Sequence, residues 1–222
     1  MGEIQAGKAL VRSGEKSMNE ELVEAIKSGG LAEWQAIHPW EHLYLHEADL
    51  KGVDLNGAYL SRANLNSTDL SGANLSGANL TGAFLQGSNL TMADLSGADL
   101  SGANFRRADL SNARLNGSNL TTANLSATIL SGADLSGAHL FDADMSGANL
   151  TRVNLTNANV VLANLLGADL RGANLLNANL GATILIRAFL NGATLTGAGL
   201  YGSARNDWNI EGVICDYVFY CS

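Results

Sequence analysis

Ser71-Gly72-Ala73-Asn74-Leu75-Ser76-Gly77-Ala78-Asn79-Leu80 contains the same five residues twice, and this unit decides the fold. From Leu45 to Leu200 every fifth residue is Leu, except Phe105, Met145 and Val160. From Leu50 onward the residue two places before each of these is small, mostly Ala and otherwise Ser, Thr or Val. Asn or Asp usually precedes the Leu, Ser or Thr usually follows it, and Gly is the commonest fifth residue. A strict short period of this kind marks a stack of identical units, each burying its apolar face against the next. Alternate residues of an extended segment point the same way, so the small residue and the Leu face inward together while their polar neighbours face out. The fifth residue then forms a corner, where Gly fits. A helix is a poor alternative, because a period of five drifts around a 3.6-residue turn and Gly and Asn are weak helix formers.

Units such as Ser71–Leu75, Ser96–Leu100 and Arg171–Leu175 resemble the pentapeptide-repeat family. The resemblance implies an all-β solenoid: a right-handed quadrilateral β-helix in which four fives make one coil and residue n stacks on residue n+20. About eight coils are expected, rising about 4.8 Å each.

The ends of the chain break the pattern. Residues 1–18 read as a disordered leader. Residues 19–40 read as a helical N-terminal cap, with Asn19 as N-cap, a helix from Glu20 to about Lys27, a break at Gly29-Gly30, and a second short helix through Leu31, Trp34 and Ile37 that stops before Pro39. Leu22, Ile26 and Trp34 are expected over the first coil, since the end of a solenoid exposes core and strand edges. Residues 41–205 form the repeat. Residues 206–222 are expected to leave its frame as a C-terminal cap or β-arm, with Trp208 and Ile210 plugging the last coil.

Charge and composition restrict the function. The net charge of −8 over 222 residues argues against a nucleic-acid binder, which needs a basic stripe. Residues 41–200 carry 12 acidic and 8 basic side chains, so the repeat itself is only mildly acidic. No apolar run reaches a membrane-spanning length. Cys215 and Cys221 make no disulfide framework, and the cytoplasm is the expected compartment. His38, His42 and His46 are spaced by four, but Pro39 interrupts them and no carboxylate or thiolate completes a shell, so no metal is expected. No nucleophile–base pair or phosphate loop is visible, so neither an enzyme nor a cofactor is expected. Asn ladders such as Asn149 with Asn89, or Asn154 with Asn174, are expected to bond up the stack.

Two surface features remain. Asp49, Asp69, Asp109 and Asp169 share one n+20 column, and Asp54, Asp94 and Asp134 share the next. Some members of the family protect type II topoisomerases by resembling duplex DNA, so the resemblance makes an acidic, DNA-like rod that binds gyrase one alternative. A structural rod within a longer signalling protein is another. The second feature is apolar. After residue 140 the polar outward positions give way to Phe141, Val161, Leu162, Leu166, Ile184 and Ile186. A contiguous exposed apolar patch marks an interface. The expected function is therefore a protein-interaction or self-association scaffold, and a twofold homodimer through the C-terminal half is the commonest closed form. The sequence does not name the protein partner.

Overall fold

The computed structural model describes residues 18–37 and 43–216. From Tyr44 to Ile214 it is one solenoid: 31 parallel bridges, one every five residues, each join residue n to residue n+20. Four bridged columns give the rod four faces. Face I runs Tyr44, Asn64, Phe84, Asn104, Asn124, Asp144, Asn164, Ile184, Ala204, and faces II, III and IV begin at Asp49, Asp54 and Tyr59.

The interior follows from the repeat. The Leu-position side chains from Leu45 to Leu200 are buried, Phe105, Met145 and Val160 included, and so is nearly every small residue two places before them. Where Ser or Thr replaces Ala, its hydroxyl finds a carbonyl within the core. Ser88, Ser118 and Thr183 donate to the carbonyls of Leu85, Leu115 and Leu180, each at 2.7 Å, while Thr68 and Thr128 reach back to the previous coil, to Leu45 and Phe105. A buried hydroxyl is therefore tolerated without an orphaned polar group.

Each corner is closed by a bond from the small residue's amide to the preceding Leu carbonyl, as in Ala73 to Leu70 at 3.0 Å. The second corner residue has φ near +60°, the type II signature that favours Gly. Yet 16 of these corners hold another residue, among them Met92, Asn112, Arg152 and Leu162. The outward Asn or Asp also works locally: its Oδ1 accepts the backbone N–H two residues on, as Asp94 does from Ser96 at 2.9 Å.

The two helices are α1 (Met18–Lys27) and α2 (Leu31–Ile37). Helix α1 opens at Met18, so Asn19 lies inside its first turn and is not the N-cap. Its end is closed by Gly29 at φ 78°, with bonds from Gly30 to the Ala25 carbonyl and from Gly29 to the Ile26 carbonyl. Leu22, Ile26, Leu31 and Trp34 join the same buried cluster as Leu45 and Leu50. Gln35 donates to the Tyr59 carbonyl at 2.8 Å, and Lys27 pairs with Asp49 at 3.6 Å. Ile37 points to solvent.

At the other end the expected departure from the frame is corrected. Asn209 and Ile214 still bridge Phe189 and Thr194, so residues 206–214 are further coil and not an arm. The frame persists because Gly202, Asp207 and Gly212 keep the left-handed corner after the Leu residues have run out. Trp208 is half-buried against the core, with Arg205 5.8 Å from its ring centre, but Ile210 is exposed and plugs nothing. Met18, expected at the end of a disordered leader over residues 1–18, instead opens α1, and residues 1–17, like His38, Pro39, His42 and the terminal segment 217–222, lie outside the described residues.

Candidate docking surface

The six apolar residues border and occupy face I in the upper coils. Phe141, Val161 and Leu162 sit at the corner between faces IV and I. Leu166 and Ile186 sit at the corner between faces I and II, and Ile184 lies on face I between the two corners. They thus span two edges, where the sequence suggested one. Leu162, Leu166, Phe141 and Ile184 are 46, 43, 41 and 38% exposed, while Val161 and Ile186 are half-buried. The polar groups among them are already satisfied. Asn164 accepts the Leu166 amide and donates to Asp144 at 3.2 Å, and Asn159 accepts the Val161 amide. Covering this surface would therefore desolvate few unpaired groups.

Leu162 is the most informative of the six. It holds φ 63° at a corner, a conformation that costs a non-glycine residue about 1 kcal/mol, and exposes its side chain as well. Neither folding nor solubility asks for Leu there.

Sequence reading missed part of the surface. Tyr201 lies one coil above Gly181 in the Phe141–Val161 column. A Cβ on Gly181 would meet the Tyr201 ring at 2.2 Å, so the ring lies over this glycine. Gly181 has no positive φ, and its lack of a side chain is the room the ring occupies. Phe189 is also exposed, on face II beside Ile186. The missed signal was glycine at a first corner position with an aromatic residue 20 places on. Lower in the rod Tyr44, Tyr59, Phe84, Met92 and Ile129 are exposed too, so the outward positions are less uniformly polar than expected. Ile129 stands between Asp109 and Asn149 and Phe84 between Asn64 and Asn104, whereas in the upper coils Phe141 and Val161, and Leu166 and Ile186, each stack one coil apart, with Asn164 and Ile184 on the face between them.

The acidic columns behave differently. Arg114 pairs with Asp94 at 3.2 Å, and Arg171 binds Asp169 through Nε at 2.8 Å and through Nη2. Asp69, Asp109 and Asp134 accept the amides of Ser71, Ser111 and Ser136. Asp54 accepts the Asn56 amide and the Asn74 side chain. The Ser71 amide and hydroxyl hold Asp69 below the usual carboxylate range, and the Arg171 side chain does so for Asp169. At Asp94 burial is the largest influence and pushes upward, but the Ser96 bonds and Arg114 outweigh it. Ile129 and Phe189 interrupt the face II column. The expected Asn–Asn ladders also resolve otherwise: Asn89 and Asn154 donate to Asp69 and Asp134 of the coil below, and Asn174 donates to Thr156.

His46 contacts the Asn66 carbonyl and Glu47. Among the described residues no three His, Cys, Asp or Glu side chains gather as metal ligands, and no helix is long and apolar enough to cross a membrane.

The family model for pentapeptide repeats matches in eight copies, over 44–82, 79–117, 118–157, 148–185 and 174–204. The chain belongs to the pentapeptide-repeat family. Its members fold as right-handed, four-sided β-helices, in keeping with the n+20 register observed. Among solved structures it is similar to HetL, a pentapeptide-repeat protein involved in heterocyst differentiation regulation in the cyanobacterium Nostoc sp. strain PCC 7120. The identity is 32%, covering 84% of this chain and 93% of that one, with a TM-score of 0.49. It is also similar to QnrB1, a plasmid-mediated fluoroquinolone resistance protein, at 21% identity over 79% of this chain and 90% of that one, TM-score 0.49. A pentapeptide-repeat protein of the Arabidopsis thaliana thylakoid lumen is 38% identical over 49% of this chain and 69% of that one, TM-score 0.34. Comparison with curated proteins gave no match.

Proposed function

We propose that this pentapeptide-repeat chain is a non-enzymatic scaffold that docks a protein, another molecule or a second copy of itself, on the upper part of face I and its two corners. The observation that carries the reading is the grouping of Phe141, Val161, Leu162, Leu166, Ile184 and Ile186 on face I and its two corners, with Tyr201 above them and Asn164 between them already hydrogen-bonded. A surface of this kind on a soluble rod is an interaction site. The gyrase-binding acidic rod is the weaker alternative, because Lys27, Arg114 and Arg171 pair with Asp49, Asp94 and Asp169, and Ile129 and Phe189 interrupt the face II column.

Leu166→Asp combined with Ile186→Asp tests the proposal. Both side chains sit on a corner outside the core, so the fold should survive. Light scattering should show loss of any self-association, or quantitative capture should show loss of the partner. Unchanged mass together with unchanged capture would remove the docking surface.

A further inference from the structure

Across one face of a coil the outward residues follow two positions apart: the second corner residue, the bridged residue, and the first residue of the next corner. In two successive coils of face I these rows read Leu162, Asn164, Leu166 and Ala182, Ile184, Ile186. Five of these six positions are apolar, and no two successive rows on the other three faces match that. The one polar member, Asn164, accepts the Leu166 amide and donates to Asp144. The rows on either side of this band differ from each other. Below it stand Asp142 and Asp144, and above it, in the same two columns, stand Gly202 and Ala204.

This order of rows is self-complementary. A twofold axis lying in face I, across the rod and midway between the two apolar rows, turns a second copy antiparallel and exchanges the rows. Leu166 then comes opposite Ile186 of the second copy, Leu162 opposite Ala182, and Asn164 opposite Ile184, each contact made twice as an isologous interface requires. At the neighbouring corner Val161 comes opposite Gly181 and the Tyr201 ring that lies over it. The flanking rows agree as well, because Asp142 and Asp144 come opposite Gly202 and Ala204, which carry neither charge nor bulk. The other registers fail on Asp144. A parallel pair, with the axis along the rod, sets Asp144 against its own copy, and facing like charges oppose association. An antiparallel pair centred on Asn164 lays Asp144 on Ile184, which desolvates a carboxylate that has no cation there.

We propose that the occupant of face I is a second copy of this chain, paired antiparallel about an axis between the Leu162 and Ala182 rows. This rests on the docking reading of the same face and adds to it the partner and the register. Six outward positions per copy bury less than the about 800 Å² per partner of a standard interface, so the dimer forms at about micromolar concentration or above.

Sedimentation velocity of the full chain at low salt, from micromolar to millimolar concentration, should show a monomer–dimer equilibrium. Leu166→Asp with Ile186→Asp should leave a monomer throughout. Ala204 is exposed and meets Asp144 of the second copy only in the antiparallel register, so the sign of a charge placed there reports the register. Ala204→Arg should tighten the dimer about two- to fivefold, and Ala204→Asp should weaken it by as much or more. Asp144→Asn, which copies Asn124 and Asn164 of the same column, should relieve the Ala204→Asp defect. Melting temperatures near that of the wild type would show that each variant is folded. In the parallel register position 204 meets its own copy, so Ala204→Arg and Ala204→Asp would both weaken the dimer, and that result would overturn the proposal. A dimer that survives Leu166→Asp with Ile186→Asp would overturn it too. A wild type that stays monomeric at millimolar concentration would remove the second copy as occupant, while quantitative capture with the same double variant decides separately whether face I docks a different protein.

Discussion

The coils holding residues 101–126 and those holding residues 141–186 are alike inside and different outside. Both bury Leu-class and small side chains in the same columns, with the same corner bonds. At the corner between faces IV and I, Ser101 and Thr121 below become Phe141 and Val161 above, and Gly102 becomes Leu162. On face I, Asn104 and Asn124 become Ile184. At the corner between faces I and II, Arg106 and Ser126 become Leu166 and Ile186. The lower coils show that the fold is satisfied with polar residues at these positions. The apolar ones above are therefore additions that folding does not require, and one of them, Leu162, occupies a backbone conformation that resists it.

The largest expected effects are those that should erase the difference. Leu125→Asp below and Leu165→Asp above each place a charge in a fully buried column, at a cost of about 4 kcal/mol or more. Chemical denaturation should show both variants unfolded or nearly so. If only one of them collapsed, the two interiors would not be equivalent. Smaller effects should separate the regions. Leu162→Gly should stabilise by about 1 kcal/mol through relief of the left-handed corner, whereas Gly102→Leu in the same column should destabilise by a similar amount. Equal and opposite shifts in melting midpoint would support the comparison. A destabilised Leu162→Gly variant would mean that Leu162 packs for the fold.

The smallest effect concerns pH. Asp69, Asp94, Asp99 and Asp169 have folded-state values below the ordinary 3.8. Their contribution is present above the unfolded value and is lost as pH falls through the lower folded values. Stability should decline below about pH 4, modestly because the carboxylates are partly solvated. Asp169→Asn should flatten that decline, and an unchanged acid profile would show that the Arg171 bond contributes nothing.

The repeat was legible in the sequence because Leu and a small residue recur every five positions, and its four-sided register was what the resemblance to the pentapeptide-repeat family implied. Its last part, residues 206–214, was not. Just before it the Leu position holds Arg205, and within it the small-residue position holds Trp208, while the frame survives on corner chemistry at Gly202, Asp207 and Gly212. The apolar surface was legible by the column arithmetic. Tyr201 was not read as part of it, because its packing depends on the missing side chain of Gly181. The aspartates looked like free surface charge because a sequence does not show which amides they accept, and the structure commits them to Ser71, Asn74, Arg114, Ser136 and Arg171.

The most direct test makes the upper coils copy the lower ones. A single variant would carry Phe141→Ser, Val161→Thr, Leu162→Gly, Leu166→Ser, Ile184→Asn and Ile186→Ser, and would be compared with the wild type by light scattering and by quantitative capture from the native host. The account predicts an unchanged β-helix with a melting temperature equal or higher, together with loss of self-association or of specific captured proteins. A correctly folded variant that keeps the wild-type mass and every captured protein would contradict it.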